Sequence, residues 1–495
     1  MAVTNKSGTP VLGLDIGAAF IKAVEMRPSK GALSITGIGV LPTPPGCIVN
    51  DEIVDPAVLA FAIKHLLAES RIKTKSVVAS VAGQSSVVVR VIEVPKMTEK
   101  ELAETMKWEI DRHIPFAPDE VVKDFQPMAR PTDDPNSPNM AVLLAVAQNG
   151  VVAGMLQTML LAGLTPVAID VECLAGARSV FDVDDAYPGQ TVALVNIGAS
   201  KIDVGIYESG TLAFPRTIPV AGNAMTEAVS KALNVNIADA EHLKKQHGFV
   251  PQDASERWGG EAPQAEEHFE FGDFAGQGLN LSAPLTASAA GLASAPEVPI
   301  FGGAVPLIPE PVFGTAPSFG APEIPTGFGS AFSPTPADGP TFDLPIVGPA
   351  NNGPLEPAAE VVAAPEPVRT PAPEVLTEGE KHRREISDAF MPVVAEMATE
   401  IKRSVEYYTT RGNDAKVDRV LLFGGVTNLP GLNIFLEKEL GLPVQIAGLP
   451  AATSLGSAAI PPEYLQQIAA LMPVAIGLSA RNAIATAPVG KKKAA

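Results

Sequence analysis

The chain has 495 residues, of which 46% are apolar, and it carries a formal net charge of −19. This length suits roughly three or four domains of ordinary size, and the apolar content is sufficient for a packed core. The negative charge argues against a nucleic-acid-binding surface, so no nucleic acid is expected among the partners.

The N-terminal residues lack the apolar core of a signal peptide, and no later run reaches the roughly 18 apolar residues that a membrane span needs. Cys47 and Cys173 lie far apart, indicate no disulfide framework and are expected to be buried apolar residues. These features predict a soluble cytoplasmic protein whose contact with a membrane would be indirect, through another protein.

The first predicted element is a β-hairpin within residues 11–27, in which an apolar strand meets a glycine turn and a second strand begins at Phe20. An Asp at the end of a buried strand can hold a hydrated cation, and a lysine on the returning strand can reach phosphate oxygens. An ordinary hairpin with a polar tip explains the same pattern. The residues concerned are Asp15, Gly17, Ala18, Ala19 and Lys22.

Residues 84–148 predict a β-α-β-β block, which follows a helix and a strand within 51–81. The helix of this block begins with a capping box, in which Thr98 is the N-cap residue and Glu101 lies three residues later. Trp108 and Phe116 are interpreted as core residues of the block.

A helix from about Val151 and a strand from about Val167 lead to Glu172, which ends the strand and opens another helix. A carboxylate in this position can orient a water molecule. It can equally complement the positive end of the helix dipole.

Residues 192–223 predict a second hairpin, whose turn exposes glycine and backbone N–H groups. Such a turn can cradle phosphate oxygens, although a glycine at a hairpin needs no ligand. Helices follow, and one of them carries Glu241 and Lys244 at positions i and i+3, where an exposed ion pair is the simplest interpretation.

The composition changes at about residue 251, and residues 251–375 contain 22 of the 47 prolines together with recurring Phe-Gly pairs. Between Trp258 and Val368 there is no Lys or Arg but there are 13 Asp and Glu, so the rest of the chain has a net charge of −6. This composition predicts a disordered insert. Its phenylalanines could bind a partner or belong to an unconstrained linker.

After the insert, apolar residues at spacings of three and four predict one long helix from about Glu378 to Thr410. A buried strand then ends in Gly424 and Gly425, and two glycines after a strand allow a flat ligand such as adenine to approach the backbone. A final helix is predicted over 461–482, before a short lysine tail that is expected to be solvated.

Two glycine hairpins, an acidic residue between them and a strand–Gly-Gly–helix element occur in the order that builds two α/β halves around one nucleotide cleft. The chain therefore resembles the actin-like ATPase superfamily. The segments that carry this resemblance are Asp15-Ile-Gly, Asn196-Ile-Gly-Ala-Ser and Leu422-Phe-Gly-Gly-Val-Thr-Asn.

Within that superfamily the chain is similar to the PilM family of type IV pilus assembly proteins, in the FtsA-like branch. The more specific segments include Ile21-Lys-Ala-Val-Glu, Ala162-Gly-Leu-Thr-Pro-Val-Ala-Ile-Asp-Val-Glu and Pro473-Val-Ala-Ile-Gly-Leu-Ser-Ala-Arg. The match spans nearly all of the chain outside the insert.

The resemblance implies an α/β actin-like ATPase fold with two duplicated RNase H-like halves and a small 1C subdomain. The implied ranges are 1A over 10–83 and 149–180, 1C over 84–148, 2A/2B with the second phosphate loop over 190–250, the insert over 251–375, 2B/2A with the adenosine motif over 376–485, and a tail over 486–495.

The resemblance also implies a site for ATP and Mg²⁺. Asp15 would hold the metal through water, and Glu172 would orient the attacking water. The residues implied to bind the nucleotide are Asp15, Gly17, Ala18, Ala19, Lys22, Asn196, Gly198, Ala199, Ser200, Lys201, Gly222, Asn223, Glu241, Lys244, Gly424, Gly425 and Val426.

The implied function is that of an ATP-binding cytoplasmic adaptor in the inner-membrane platform of a type IV pilus or type II secretion system. The implied partner is the cytoplasmic N-terminal peptide of a PilN-like inner-membrane protein, bound between 1A and 1C, together with other platform proteins. The adaptor would therefore be peripheral to the inner membrane through its partners.

Two departures from the family pattern bear on catalysis. Asn196 replaces the usual Asp of the second phosphate motif and lacks the charge that helps to hold a Mg²⁺-bound water. Ala18 and Ala19 replace hydroxyl residues of the first motif. Because hydrolysis relies on a positioned metal and water, the prediction is nucleotide binding with at most weak ATPase activity.

Two other functions are compatible with the superfamily. One is a filament-forming cytoskeletal ATPase of the FtsA or MreB type, although neither terminus carries the amphipathic membrane helix usual in such proteins. The other is a kinase or an acyl-transfer-linked ATPase, for which only Asp170 and Glu172 could serve as a base in the cleft.

Overall fold

The computed structural model describes residues 10–29, 32–83, 85–129, 136–184, 186–250, 377–410, 415–456 and 460–484. The predicted insert at 251–375 and the predicted tail at 486–495 lie outside these residues. Within the described ranges, no helix combines the length and the apolar character needed to cross a membrane.

The N-terminal elements are, in chain order, β1 (Leu12–Ile16), β2 (Phe20–Ser29), β3 (Ala32–Pro42), β4 (Ile48–Val49), β5 (Glu52–Ile53), α1 (Pro56–Glu69) and β6 (Ser76–Val81). The hairpin predicted for residues 11–27 is confirmed, since β1 and β2 pair antiparallel. The structure adds β3, which pairs with β2 and which the sequence pattern does not predict.

The next elements are β7 (Val87–Pro95), α2 (Glu99–His113), β8 (Val121–Met128) and β9 (Asn139–Gln148), in the predicted β-α-β-β order. The capping box of Thr98 and Glu101 is present. Trp108 is 75% exposed, so its prediction as a core residue is wrong. It lies off the buried face of α2, which carries Leu102, Met106 and Ile110.

The chain continues through α3 (Asn149–Leu161), β10 (Thr165–Val171), α4 (Glu172–Ala177), β11 (Thr191–Ile197), β12 (Ile202–Glu208), β13 (Thr211–Ile218), α5 (Gly222–Leu233) and α6 (Ile237–His247). A turn of π-helix at Arg178–Asp182 extends α4. The second predicted hairpin is formed by β11 and β12, which pair antiparallel up to Ile197 and Ile202.

The last described elements are α7 (Glu378–Thr409), β14 (Arg419–Phe423), α8 (Leu432–Leu440), β15 (Val444–Ile446), β16 (Thr453–Leu455), α9 (Pro462–Ile468) and α10 (Pro473–Ile484). The bounds of α7 agree with the prediction to within one residue. The single helix predicted over 461–482 is divided into α9 and α10. Pro473 has no backbone N–H to donate, and its ring would clash with the preceding turn of a continuous helix.

The two large sheets repeat one topology. The first has the strand order β10-β6-β1-β2-β3-β16, and the second has the order β13-β12-β11-β14-β15. In each sheet an antiparallel meander is followed by strands that run parallel to its first strand. This repetition gives the two glycine hairpins equivalent positions in the two halves.

The C-terminal segment returns to the first sheet. Strand β16 pairs in parallel with β3, and α10 packs on β1 and β2. A Cβ atom on Gly13 would lie 2.0 Å from the carbonyl oxygen of Ala475, so the helix backbone rests directly on β1. The range 376–485, which the resemblance assigns to subdomains 2A and 2B, thus ends with elements that join the first sheet.

Candidate functional site

A cavity of about 990 Å³ is lined by residues from both large sheets and from α5 and α6. Its size suits a small-molecule ligand such as a nucleotide. Of the residues that the resemblance implies for nucleotide binding, Asp15 does not line the cavity. All the others do, and so does Glu172. The fold thus brings together residues spread from Gly17 to Val426.

The turn between β1 and β2 forms one side of the cavity and is held by Thr43. The Thr43 hydroxyl donates to the Gly17 carbonyl at 2.7 Å, and the Thr43 N–H donates to the Ala19 carbonyl at 2.9 Å. The backbone N–H groups of Ala18 and Ala19 have no acceptor among the described residues. Because both residues line the cavity, these N–H groups are available to an anion bound there.

The turn between β11 and β12 repeats this arrangement. Gly198 N–H donates to the Lys201 carbonyl at 3.0 Å, while the N–H groups of Ala199 and Ser200 meet no acceptor in the part of the chain that the structure describes. The N-terminus of α5 is tied to this turn, because Asn223 N–H donates to the Ala199 carbonyl at 2.7 Å. The free N–H groups of the turn and the positive end of the α5 dipole therefore lie next to each other at the cavity, and both favour a bound anion there.

Gly424 brings the end of β14 against the second hairpin. Its φ is +102°, and a Cβ atom would lie 2.4 Å from the Ile197 carbonyl oxygen and 2.5 Å from Oδ1 of Asn196. No side chain fits in this position, so the backbone of the Gly-Gly turn lies next to the hairpin. Gly425 and Val426 follow and line the cavity.

Two lysine–carboxylate pairs form the charged floor of the cavity. Lys22, Lys201 and Glu172 line the cavity, and Asp15 is buried behind Lys22. Lys22 Nζ lies 2.6 Å from Asp15 Oδ2, and Lys201 Nζ lies 3.4 Å from Glu172 Oε2. Burial raises the pKa of Asp15 in spite of the nearby Lys22. Burial would likewise raise the pKa of Glu172, but Lys201 and Lys22 outweigh it and hold that pKa below its usual value.

Asp203 is a further buried acid, which lies next to Glu172 outside the cavity lining, and the sequence reasoning missed it. It accepts a hydrogen bond of 2.6 Å from the Thr217 hydroxyl. Burial raises the pKa of Asp203 to about 7, against the opposing effect of Lys201 and with a contribution from Glu172. A void of about 10 Å³ between Asp203, Glu172 and Asn196 has room for one water molecule. An acid placed between the apolar residues Ile202 and Val204 of β12 was the available signal.

Glu241 and Lys244 form the predicted i, i+3 pair, but the pair is not exposed on a helix surface. Lys244 Nζ lies 2.5 Å from Glu241 Oε2 and donates to the Thr226 hydroxyl at 2.7 Å and to the Gly222 carbonyl at 3.0 Å. Burial lowers the pKa of Lys244, although Glu241 opposes the shift. The pair therefore ties α6 to the start of α5 at the edge of the cavity.

The cavity lining also includes charged residues that the sequence reasoning did not single out. Asp51 Oδ1 accepts a hydrogen bond of 2.8 Å from the Ser200 hydroxyl. Lys245 Nζ lies 5.5 Å from the centre of the Phe20 ring. Both contacts join residues of the first half to residues of the second half, so no short-range sequence pattern could reveal them.

The acidic residues of the floor do not form a ready site for a divalent cation. Asp15 is 1% exposed and lies behind Lys22, and Glu172 faces Lys201. Mg²⁺ requires oxygen ligands in octahedral geometry. Across the described ranges, there is no group of three or more His, Cys, Asp or Glu side chains suited to a metal. In this structure, ammonium groups neutralise the carboxylates.

Sequence comparison relates the chain to pilus assembly and cell division proteins. The family model for type IV pilus assembly protein PilM matches residues 13–257 and 379–483. Cell division protein FtsA of Escherichia coli K12 is 25% identical over 258 residues, which are 48% of this chain and 60% of that protein. FtsA of Buchnera aphidicola subsp. Baizongia pistaciae is 37% identical over 79 residues, 16% of this chain and 18% of that protein. The chain therefore spans less than two thirds of the length of these relatives.

Structural comparison relates the fold of this chain to that of a solved protein complex. The structure of a PilM-PilN type IV pilus biogenesis complex has a TM-score of 0.63 and 23% identity, covering 96% of this chain and 99% of that chain. Ethanolamine utilization protein EutJ from Carboxydothermus hydrogenoformans has a TM-score of 0.41 and 12% identity, covering 96% and 94%. The first likeness establishes the fold and confirms the predicted α/β actin-like architecture.

Proposed function

Because the chain belongs to the PilM family of type IV pilus assembly proteins, we propose that it is an adaptor that binds an adenine nucleotide, expected to be ATP, in the cavity between its two halves. The observation that carries this proposal is the meeting of two glycine hairpins at one cavity of about 990 Å³. Within the described chain, each hairpin offers backbone N–H groups that have no other acceptor.

In this proposal the phosphates lie between the two hairpins, where Lys22 adds a positive charge to the backbone N–H groups. The ribose lies near Glu241 and Lys244, which line the edge of the cavity. The adenine lies against Gly424 and Gly425, whose backbone a flat ring can approach because no side chain intervenes.

We propose that hydrolysis is at most weak. Glu172, which the family resemblance implies as the water-orienting acid, is already engaged by the ammonium of Lys201 at 3.4 Å. Asn196 supplies an amide where the family pattern has a carboxylate. Phosphoryl transfer depends on electrostatic stabilisation by a positioned metal and water, and both changes weaken that stabilisation.

Isothermal titration of the full chain with ATP is expected to show saturable binding to one site. Phosphate release should stay below about 0.1 per second, compared with about 10 per second for a typical enzyme. Titrations in Mg²⁺ and in EDTA measure whether the expected metal contributes to affinity. No binding heat under either condition would contradict the nucleotide site, and brisk phosphate release would contradict the weak turnover.

We further propose that the adaptor binds the cytoplasmic N-terminal peptide of a PilN-like inner-membrane protein, between subdomain 1A (10–83 and 149–180) and subdomain 1C (84–148). A relative of the same fold has been solved as a PilM-PilN complex, which supports a partner of this class. The block 84–148 has its own sheet, β7-β9-β8, and its own apolar cluster, so it can form a separate wall of a groove. Such a partner would hold the protein at the cytoplasmic side of the inner membrane.

The peptide proposal predicts saturable binding of a fluorescently labelled PilN-like N-terminal peptide to the full chain, measured by anisotropy. A photo-crosslinker on the peptide should label residues of both 10–83 and 84–148, which mass spectrometry can map. A scrambled peptide serves as the control. Cross-links confined to residues 377–484 would contradict the placement.

The FtsA relatives favour a second candidate, a filament-forming ATPase. Sedimentation of the full chain with and without ATP separates the two functions. Nucleotide-dependent pelleting would favour the filament, whereas a protein that stays in the supernatant supports the adaptor.

A further inference from the structure

Asp51 belongs to a tight turn that lines the cavity from the first half of the chain. The turn joins β4 to β5, and both of its residues have left-handed backbone conformations, with φ of +51° at Asn50 and +65° at Asp51. A two-residue turn of this kind favours glycine at its second position. In this chain the second position of the turn is Asp51 instead of glycine.

The carboxylate of Asp51 contacts the second glycine hairpin. Its Oδ1 accepts a hydrogen bond of 2.8 Å from the hydroxyl of Ser200, which lies 149 residues later in the chain. It adds a weaker electrostatic attraction to Lys201, whose ammonium is paired with Glu172 at 3.4 Å. The hydroxyl that this hairpin offers to an anion therefore already donates to the Asp51 carboxylate, and its ammonium is already paired with Glu172.

We propose that Asp51 occupies the position that the terminal phosphate of a nucleoside triphosphate would take, so that the cavity binds a nucleoside diphosphate more tightly than the triphosphate. This inference rests on the proposed nucleotide binding. A terminal phosphate at the second hairpin would need the Ser200 hydroxyl, which already donates to Asp51. It would also bring a second anion close to the carboxylate, where partial burial strengthens the repulsion between like charges.

The groups that would bind the inner phosphates do not depend on Asp51. The N–H groups of Ala18, Ala19 and Ala199 remain without an acceptor in the described part of the chain, and Lys22 lines the cavity. A diphosphate can use these groups while the Asp51 carboxylate stays bound to Ser200. The proposed selectivity therefore comes from one added acid and not from a change in the glycine hairpins.

Isothermal titration of the full chain with ADP and with ATP, each in Mg²⁺ and in EDTA, tests the inference. The wild-type protein is expected to bind ADP about tenfold or more tightly than ATP. The variant Asp51→Gly is expected to bind ATP more tightly and to bring the two dissociation constants within about threefold of each other. Since glycine is the residue that the turn favours, this variant should fold, and a circular dichroism melt checks that it does.

Two control variants separate charge from turn geometry. Asp51→Asn keeps a hydrogen-bonding side chain without the charge and should show most of the gain in ATP affinity. Glu52→Gln removes an exposed acid from the adjacent position, which does not line the cavity, and should keep the wild-type preference.

The possible failures of this proposal and of the nucleotide site are distinguishable. Equal wild-type affinities for ADP and ATP, an unchanged preference in Asp51→Gly, or weaker ATP binding in that variant would overturn the inference while leaving nucleotide binding intact. No binding of either nucleotide to any of these proteins would contradict the proposed function, and the inference with it.

Discussion

Replacing Lys201 with methionine is expected to lower the free energy of unfolding by about 3–5 kcal/mol, the usual effect of removing one partner from a buried ion pair. The side chains of Lys201 and Glu172 are each 13% exposed and their charged atoms are 3.4 Å apart. Asp203 adds a second buried acid beside them. Methionine keeps the length and the apolar stem of lysine, so the loss reports on the missing charge.

The effect of Lys201→Met should depend on pH. Burial would raise the pKa of Glu172, but Lys201 and Lys22 reverse this and lower it from 4.5. An acid whose pKa is lower in the folded protein than in the unfolded protein stabilises the fold at pH values above its unfolded-state pKa. This contribution is lost as the pH falls through its folded-state pKa. The difference in stability between the wild type and Lys201→Met should therefore be full near pH 7 and shrink below about pH 4.5.

A second substitution and a surface control make this prediction specific. The double variant Lys201→Met with Glu172→Gln should recover most of the lost stability, because it removes the charge together with its counter-charge. Lys231→Met, at a side chain that is 80% exposed, should change stability by less than about 0.5 kcal/mol. Denaturant unfolding followed by circular dichroism compares the four proteins. The same midpoint for wild type and Lys201→Met would contradict the prediction.

Replacing Gly477 with alanine is expected to destabilise the protein by about 3 kcal/mol, the upper end of the usual cost of overpacking, because it overpacks a close crossing of two helices. A Cβ atom at Gly477 in α10 would lie 1.7 Å from the carbonyl oxygen of Ala175 in α4. That oxygen is part of the backbone and cannot rotate away, so the helices must separate. Because α10 also rests on β1 at Gly13, its displacement would disturb the strand that leads into the first glycine hairpin.

Gly154 provides a matched control in the interior of α3. A Cβ atom there would meet Ile53 Cβ at 3.5 Å, an ordinary contact distance. Alanine favours the helix more than glycine does, so Gly154→Ala should be neutral or stabilising by up to about 1 kcal/mol. Thermal melts compare the two Gly→Ala variants. If Gly477→Ala melted at the same temperature as Gly154→Ala, the close crossing of α4 and α10 would be contradicted.

The sequence by itself determined the elements whose signals repeat over a few residues. Examples are the capping box at Thr98, the apolar stripe of α7 and the two glycine hairpins. Each is encoded by the spacing of residues that are close together in the sequence, so the sequence pattern reveals it. Asn196-Ile-Gly-Ala-Ser and the related segments pointed to the actin-like fold and the PilM family, both of which the comparisons support.

Only the tertiary structure decided which groups meet in the cavity and which face solvent. Ser200 reaches Asp51 across 149 positions, and Lys201 pairs with Glu172 from the other half of the chain. Tertiary packing also brings β16 and α10 back to the first sheet and leaves Trp108 exposed. Such contacts follow from how separate elements pack, which no short-range pattern encodes. The sequence therefore determined the loops around the cavity, whereas packing of the two halves decided which charges lie within it.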